Sequence, residues 1–277
     1  MKKVLLIAFL SLIAVPAFAA DAPKESAFDR VMRTQTLRCG MMLWPPYFEK
    51  DPNTGAIHGY AKDLSDGVAS LLGVKIEYVE IVPGQQVEEL KDGRVDAVCD
   101  DGPYVFSEMK FLDYTSPLYY VPVFAYGRAD EQRFKSQGDL NHKDVHFIGM
   151  DGDLSVALVQ RRFPQATLST LPSTTDSGQL MLNVKDKKAD ITIIDPPSVA
   201  TFNASNPPGV KAVAGGEPVA IYPVGFSVKK GDAELALMIN SGIAALWNTG
   251  EAASILHKYD PRGTMFYGVA NGYRPMK

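Results

Sequence analysis

Two stretches far apart in the chain follow one plan: Arg94-Val95-Asp96-Ala97-Val98-Cys99-Asp100 and Lys188-Ala189-Asp190-Ile191-Thr192-Ile193-Ile194-Asp195. Each has a basic residue, an aspartate, a mostly apolar run of strand length, and a carboxylate where the strand should end. A short apolar run between polar residues reads as a strand buried on both faces, as in a parallel sheet covered by helices. In open α/β sheets ligand groups gather just past the carboxyl ends of the strands. Repetition of the plan therefore predicts two similar α/β lobes, each offering an acid to a shared cleft.

Three features of the whole chain narrow the class. Met1-Lys2-Lys3, an apolar run from Val4 to Phe18 and Ala17-Phe18-Ala19 together form the pattern of a cleaved export signal over residues 1–19. No later segment is apolar over the ~20 residues that a spanning helix needs, so the mature protein is expected in the periplasm. A formal charge of −4 argues against nucleic acid as a partner. The four histidines, His58, His142, His146 and His257, show no metal-ligand spacing, so neither metal nor cofactor is expected. Two cysteines, Cys39 and Cys99, fall in expected strands of the first lobe. They read either as an export-compartment disulfide or as two small buried hydrophobes.

Along the chain strands alternate with helices, which predicts parallel sheets flanked by helices. Leu37–Met42 reads as the first strand and runs into Trp44-Pro45-Pro46-Tyr47-Phe48, where proline disfavours regular structure. Leu64, Val68, Leu71 and Leu72 give a helix from Tyr60 to Leu72, closed by Gly73. A strand over Val74–Val82, a short helix over Val87–Leu90 and the strand ending at Asp100 follow. The second half repeats the order: strand from Val145, helix from Leu154 to about Arg162, short strand to Leu171, helix over Ser177–Lys185, strand to Asp195. Tyr119–Arg128 and Val219–Lys229 are β-prone and would join the lobes. The expected division is residues 20–124 as the first part of lobe one, 125–222 as lobe two, and 223–277 as the return with closing helices.

Several of these segments resemble the amino-acid type of periplasmic solute-binding protein that serves ABC transporters. Leu37-Arg38-Cys39-Gly40 is similar to the family's opening strand, and Gly59-Tyr60-Ala61-Lys62-Asp63-Leu64 to its first helix start, with Ala61 departing at an aspartate position. Leu90 to Asp96, Asp113-Tyr114-Thr115-Ser116-Pro117, Asp139-Leu140 with Val145 and Gly152, and Asn248-Thr249-Gly250 with Ile255 and Lys258-Tyr259 follow the family's order. The resemblance implies a periplasmic-binding-protein-like fold (type II), α/β and two-lobed with a hinge of two crossing strands. It implies a monomer that binds a small-molecule ligand and docks on a membrane ABC transporter permease.

The resemblance also implies an Arg in lobe one for the ligand's carboxylate and an Asp in lobe two for its ammonium. The latter carries over to Asp195, which would otherwise simply cap a strand end before Pro196-Pro197. The former falls on Glu108, or on Lys110 if two residues are deleted, with Ser107 beside it in place of the usual threonine. Small polar residues expected after the strand are Asp100 and Asp101. The loop that opens the second lobe's first helix reads Gly152-Asp153-Leu154-Ser155, where an acid either caps the helix or opposes an anion. Asp100, Asp101, Asp153 and Asp195 would make an acidic cleft walled by Met42, Trp44, Tyr47 and Tyr104, suited to an amine. The alternative is that Lys110 restores an ordinary amino-acid site. Rival functions are a cleft dehydratase or lyase using Glu108 or Asp101, or a sensing protein without transport; the leading expectation is a binding protein and no enzyme.

Overall fold

The computed structural model describes residues 25–268, so the export-signal reading lies outside the described residues. The chain opens with α1 (Ala27–Thr34), β1 (Thr36–Met41), the hairpin of β2 (Glu49–Lys50) and β3 (Ile57–His58), and α2 (Tyr60–Leu72). Then come β4 (Lys75–Glu80), α3 (Gln86–Asp92), β5 (Ala97–Asp101), β6 (Leu112–Tyr114) and the long β7 (Tyr119–Arg128). The second lobe holds β8 (His146–Met150), α4 (Leu154–Arg162), β9 (Thr167–Leu171), α5 (Gly178–Lys185), β10 (Ile191–Ile194), α6 (Pro196–Ser205) and β11 (Val210–Ala212). The chain returns through β12 (Ala220–Lys229) and ends its described part in α7 (Ala233–Asn248) and α8 (Glu251–Tyr259).

Strand order β4-β1-β5-β12-β7-β10-β8-β9 gives two half-sheets of the same plan, joined where β12 pairs with β7 antiparallel. In each half a first strand lies parallel between two others, β1 between β4 and β5, and β8 between β9 and β10. The fold is thus α/β and two-lobed, with β7 and β12 as the crossing strands. The crossover is visible in the packing: Val121 belongs to the first lobe's core, and Val123, on the same strand, to the second's.

The aspartates of the repeated motif explain the repetition. Asp96 accepts the Arg38 amide at 2.7 Å, and its own amide donates to the Arg38 carbonyl at 2.9 Å. Asp190 does the same with His146, at 3.0 and 2.8 Å. Each aspartate therefore locks the register of its strand against the parallel neighbour, at the end remote from the cleft. Arginines then neutralise them: Arg30 and Arg38 on Asp96, Arg133 on Asp190. A buried carboxylate needs such partners to be tolerated.

Helix α2 packs on α7 and α8 over the first half-sheet. Its apolar face, Leu64 and Val68, is fully buried, and Gly73 in the left-handed conformation ends it. Gly242 lets α7 approach closely, since a Cβ there would stand 2.9 Å from Val68 and Leu72 side-chain atoms. Cys39 and Cys99 form a disulfide, their Cα atoms 5.6 Å apart on adjacent strands β1 and β5, within the ordinary span of such a bridge.

One helix was absent from the sequence reading. It is α6, which Pro196-Pro197 begins directly after Asp195. Proline has no amide to lose in a helix's first turn, and its φ suits that position.

Candidate functional site

Six strand ends, those of β1, β4, β5, β8, β9 and β10, and the loops after them meet between the lobes. After β1 the chain turns through Trp44–Phe48, where the Phe48 carbonyl accepts the Trp44 amide at 3.0 Å. That loop rests on the start of α2: the amides of Tyr60 and Ala61 donate to the carbonyls of Pro46 and Tyr47 at 3.4 and 3.2 Å. The approach is close enough that a Cβ at Gly59, which has φ +121°, would collide with the Tyr47 carbonyl. The loop thereby presents Met42, Trp44, Tyr47 and Phe48 to a cavity of about 170 Å³ between the lobes.

Four aspartates line this cavity, Asp100 from the first lobe and Asp151, Asp153 and Asp195 from the second. Asp100, buried at the end of β5 with φ +51°, accepts the Tyr119 hydroxyl at 2.9 Å. From the second lobe, Asp153 caps α4 by accepting the Ser155 amide at 2.6 Å. Asp195 caps α6, accepting the Ser198 amide at 2.8 Å and the Ser198 hydroxyl at 2.9 Å. Capping and cleft lining are thus combined in the same side chains. Asp195 is 6% exposed, and burial pushes its carboxyl up to about 6 against the stabilising pull of Ser198. The dry cleft likewise raises Asp153. Among the described residues, no lysine, arginine or histidine lines the cavity.

The lobes touch at this cavity. Trp44 Nε1 donates to Ser198 Oγ at 3.1 Å, and the Trp44 ring packs on the second lobe's core.

Of the residues singled out from sequence, the structure brings together Met42, Trp44, Tyr47, Asp100, Asp153, Leu154, Ser155 and Asp195. It does not bring Tyr104, Glu108 or Lys110 to the cavity lining. Tyr104 is buried, donating to the Thr115 carbonyl at 3.0 Å and stacking on Tyr114 at 4.1 Å between centroids. Glu108 accepts from Gln86 Nε2 at 3.0 Å, and burial raises its carboxyl. Lys110 is exposed, with Nζ 4.8 Å over the Phe111 ring. The alternative in which Lys110 restores a carboxylate grip therefore has no support in its placement. Asp101 is described through its backbone alone, opposite Gly225 of β12.

Lining residues that the sequence reading missed include Phe48, Gln86, Pro103, Asp151, Ser173 and Tyr222. Three of them carried a usable signal: Asp151 directly follows β8. Gln86 and Ser173 follow the carboxyl ends of β4 and β9, where the strand-end rule applies as it does to β5 and β10.

Comparison with known proteins adds the lineage. Residues 37–261 match the family described as bacterial extracellular solute-binding proteins, family 3. The ABC transporter glutamine-binding protein GlnH of Bacillus subtilis is 23% identical, over 94% of this chain and 97% of that one. The L-arginine-binding protein of Pseudomonas aeruginosa is also 23% identical, over 94% and 96%. Among solved structures, the ancestral amino acid-binding protein AncCDT-1, described as a precursor of cyclohexadienyl dehydratase, superposes with a TM-score of 0.74. It is 25% identical, and the match covers 85% of this chain and 99% of that one.

Proposed function

The chain belongs to family 3 of the bacterial extracellular solute-binding proteins, and on that footing we propose that it captures a small solute bearing a cationic group and delivers it to a membrane ABC transporter. One observation carries the choice of solute. Asp100 from one lobe and Asp153 and Asp195 from the other line a single cavity among Trp44, Tyr47 and Phe48, with no described cationic side chain in the lining. A bound cation would neutralise buried carboxylates that are otherwise costly and would gain from the aromatic faces.

Mechanistically, β7 and β12 are the strands about which the lobes would part, exposing the cavity to solute. An occupant held by acids of both lobes favours the closed arrangement by its differential affinity. The closed face is then the surface that a permease would recognise, with the protein acting as a monomer in the periplasm.

Titration calorimetry with a panel of cationic amines and amino acids against neutral and acidic amino acids tests this reading. Binding confined to neutral or acidic amino acids would remove it.

A second reading draws on Asp195. A carboxyl that titrates at about 6 is poised to donate a proton near neutrality, and AncCDT-1 is described as the precursor of a dehydratase. Conversion of a bound solute by the purified protein would support a cleft enzyme; recovery of every solute unchanged would end that reading.

A further inference from the structure

The cavity's chemistry points beyond a positive charge. Hydrogen-bond acceptors stand on both of its walls: Asp100 and Gln86 on the first lobe, Asp153 and Asp195 on the second. Gln86 is 6% exposed, its Nε2 is engaged by Glu108 at 3.0 Å, and its Oε1 has no hydrogen-bond partner among the described residues. A buried acceptor left in that state is destabilising, and an N–H group on a ligand would relieve it.

Cationic side chains are missing from the described part of the same lining, whose side-chain donors besides Trp44 and Gln86 are the neutral hydroxyls of Tyr47, Ser155, Ser173 and Tyr222. No described lysine, arginine or histidine is there. Three helices begin at the cavity, the seven-residue α3 at Gln86 and the longer α4 and α6, and the N-terminus of a longer helix is ordinarily a ready site for an anion. Here the start of α4 is taken by Asp153 through the Ser155 amide, and the start of α6 by Asp195 through the Ser198 amide. At either of these two helix starts a ligand carboxylate would meet one of the chain's own carboxylates.

Building on the cationic reading above, we propose that the solute presents charged N–H donors to both lobes and carries no carboxylate. The class is a diamine or an amino-guanidine, not an amino acid. The aromatic side chains of Trp44, Tyr47 and Phe48 then cover the hydrocarbon between the two charged ends.

Two matched pairs test the proposal by titration calorimetry on the mature protein: arginine against agmatine, and lysine against 1,5-diaminopentane. Members of each pair differ by the carboxylate alone. The expected result is at least tenfold tighter binding of the decarboxylated member in each pair. Gln86→Leu should weaken diamine binding severalfold while leaving the melting temperature of the unliganded protein unchanged or raised. Equal or tighter binding of arginine or lysine overturns the proposal and leaves the cationic reading standing. Binding by none of the four compounds also overturns it. If neutral or acidic amino acids alone bind, both readings fall together.

Discussion

Ser198 Oγ accepts a hydrogen bond from Trp44 Nε1 at 3.1 Å, while donating to Asp195 Oδ2 at 2.9 Å. One hydroxyl thus joins the contact between the lobes to an acid of the candidate site. Whatever neutralises Asp195 acts on a group that takes part in the contact between the lobes.

Trp44→Phe keeps an aromatic ring and removes the N–H. A neutral hydrogen bond contributes roughly 1 kcal/mol net, which corresponds to about a fivefold shift toward open lobes. Small-angle scattering of the unliganded variant should give a larger radius of gyration than the parent. Identical curves would show that the bond does not hold the lobes.

The pH dependence follows from Asp195. Its carboxyl titrates at about 6 in the folded chain against the ordinary 3.8, so the folded state keeps a proton that the unfolded state has released. Stability of the unliganded protein therefore falls as pH rises from about 4 to about 6, by an amount on the order of 3 kcal/mol. Groups held low, such as Glu131 at about 2 beside Arg133, act with the opposite sign at more acid pH. Thermal denaturation between pH 5 and pH 7 should show a lower melting temperature at pH 7 in the absence of ligand.

Affinity runs the other way. A cation needs the ionised carboxylate, so binding should weaken by about tenfold between pH 7 and pH 5 for a group titrating near 6. Calorimetry at the two pH values measures this directly. A flat profile would place the cation elsewhere.

Asp195→Asn separates capping from charge. Asparagine caps a helix about as well as aspartate, and the substitution removes a buried negative charge. The unliganded variant should melt at the same temperature or a few degrees higher at pH 7. Its affinity for a cationic solute should fall at least tenfold. A marked loss of stability would mean that the bond from the Ser198 hydroxyl to Asp195 outweighs the cost of the buried charge.

Replacing Cys39 and Cys99 together by serine releases a bridge between residues separated by 60 positions. The loop-entropy relation gives a loss of about 4 kcal/mol, to be read as a lower urea midpoint. An unchanged midpoint under non-reducing conditions would contradict it.

The repeated motif made the architecture legible: strand ends at Asp100 and Asp195 both reach one cavity, as the two-lobe reading requires. Helix α2 and the crossing strands β7 and β12 were also readable, from periodicity and β-propensity. What escaped was of another kind. Glu108 and Lys110 were singled out by counting back from Asp113 along the family's motif, and such a count carries no information on where the side chains between β5 and β6 point. The start of α6 was missed, although proline suits a helix's first turn. Gln86 and Asp151 were missed because the strand-end rule was applied only to the strands of the repeated motif, and not to β4 or β8. The cysteine pair stayed open until β1 and β5 were seen side by side.

The disulfide lies one residue before Asp100 and ties its strand to β1, which leads into the Trp44–Phe48 loop. Both pieces of the first lobe's wall are thus stapled together at their roots. If the lobes part as proposed, the bridge would keep this wall together as one piece, its acid and its aromatic rings holding their spacing. An arriving solute meets a half already arranged for it, and the entropy cost of organising the grip falls on the other half.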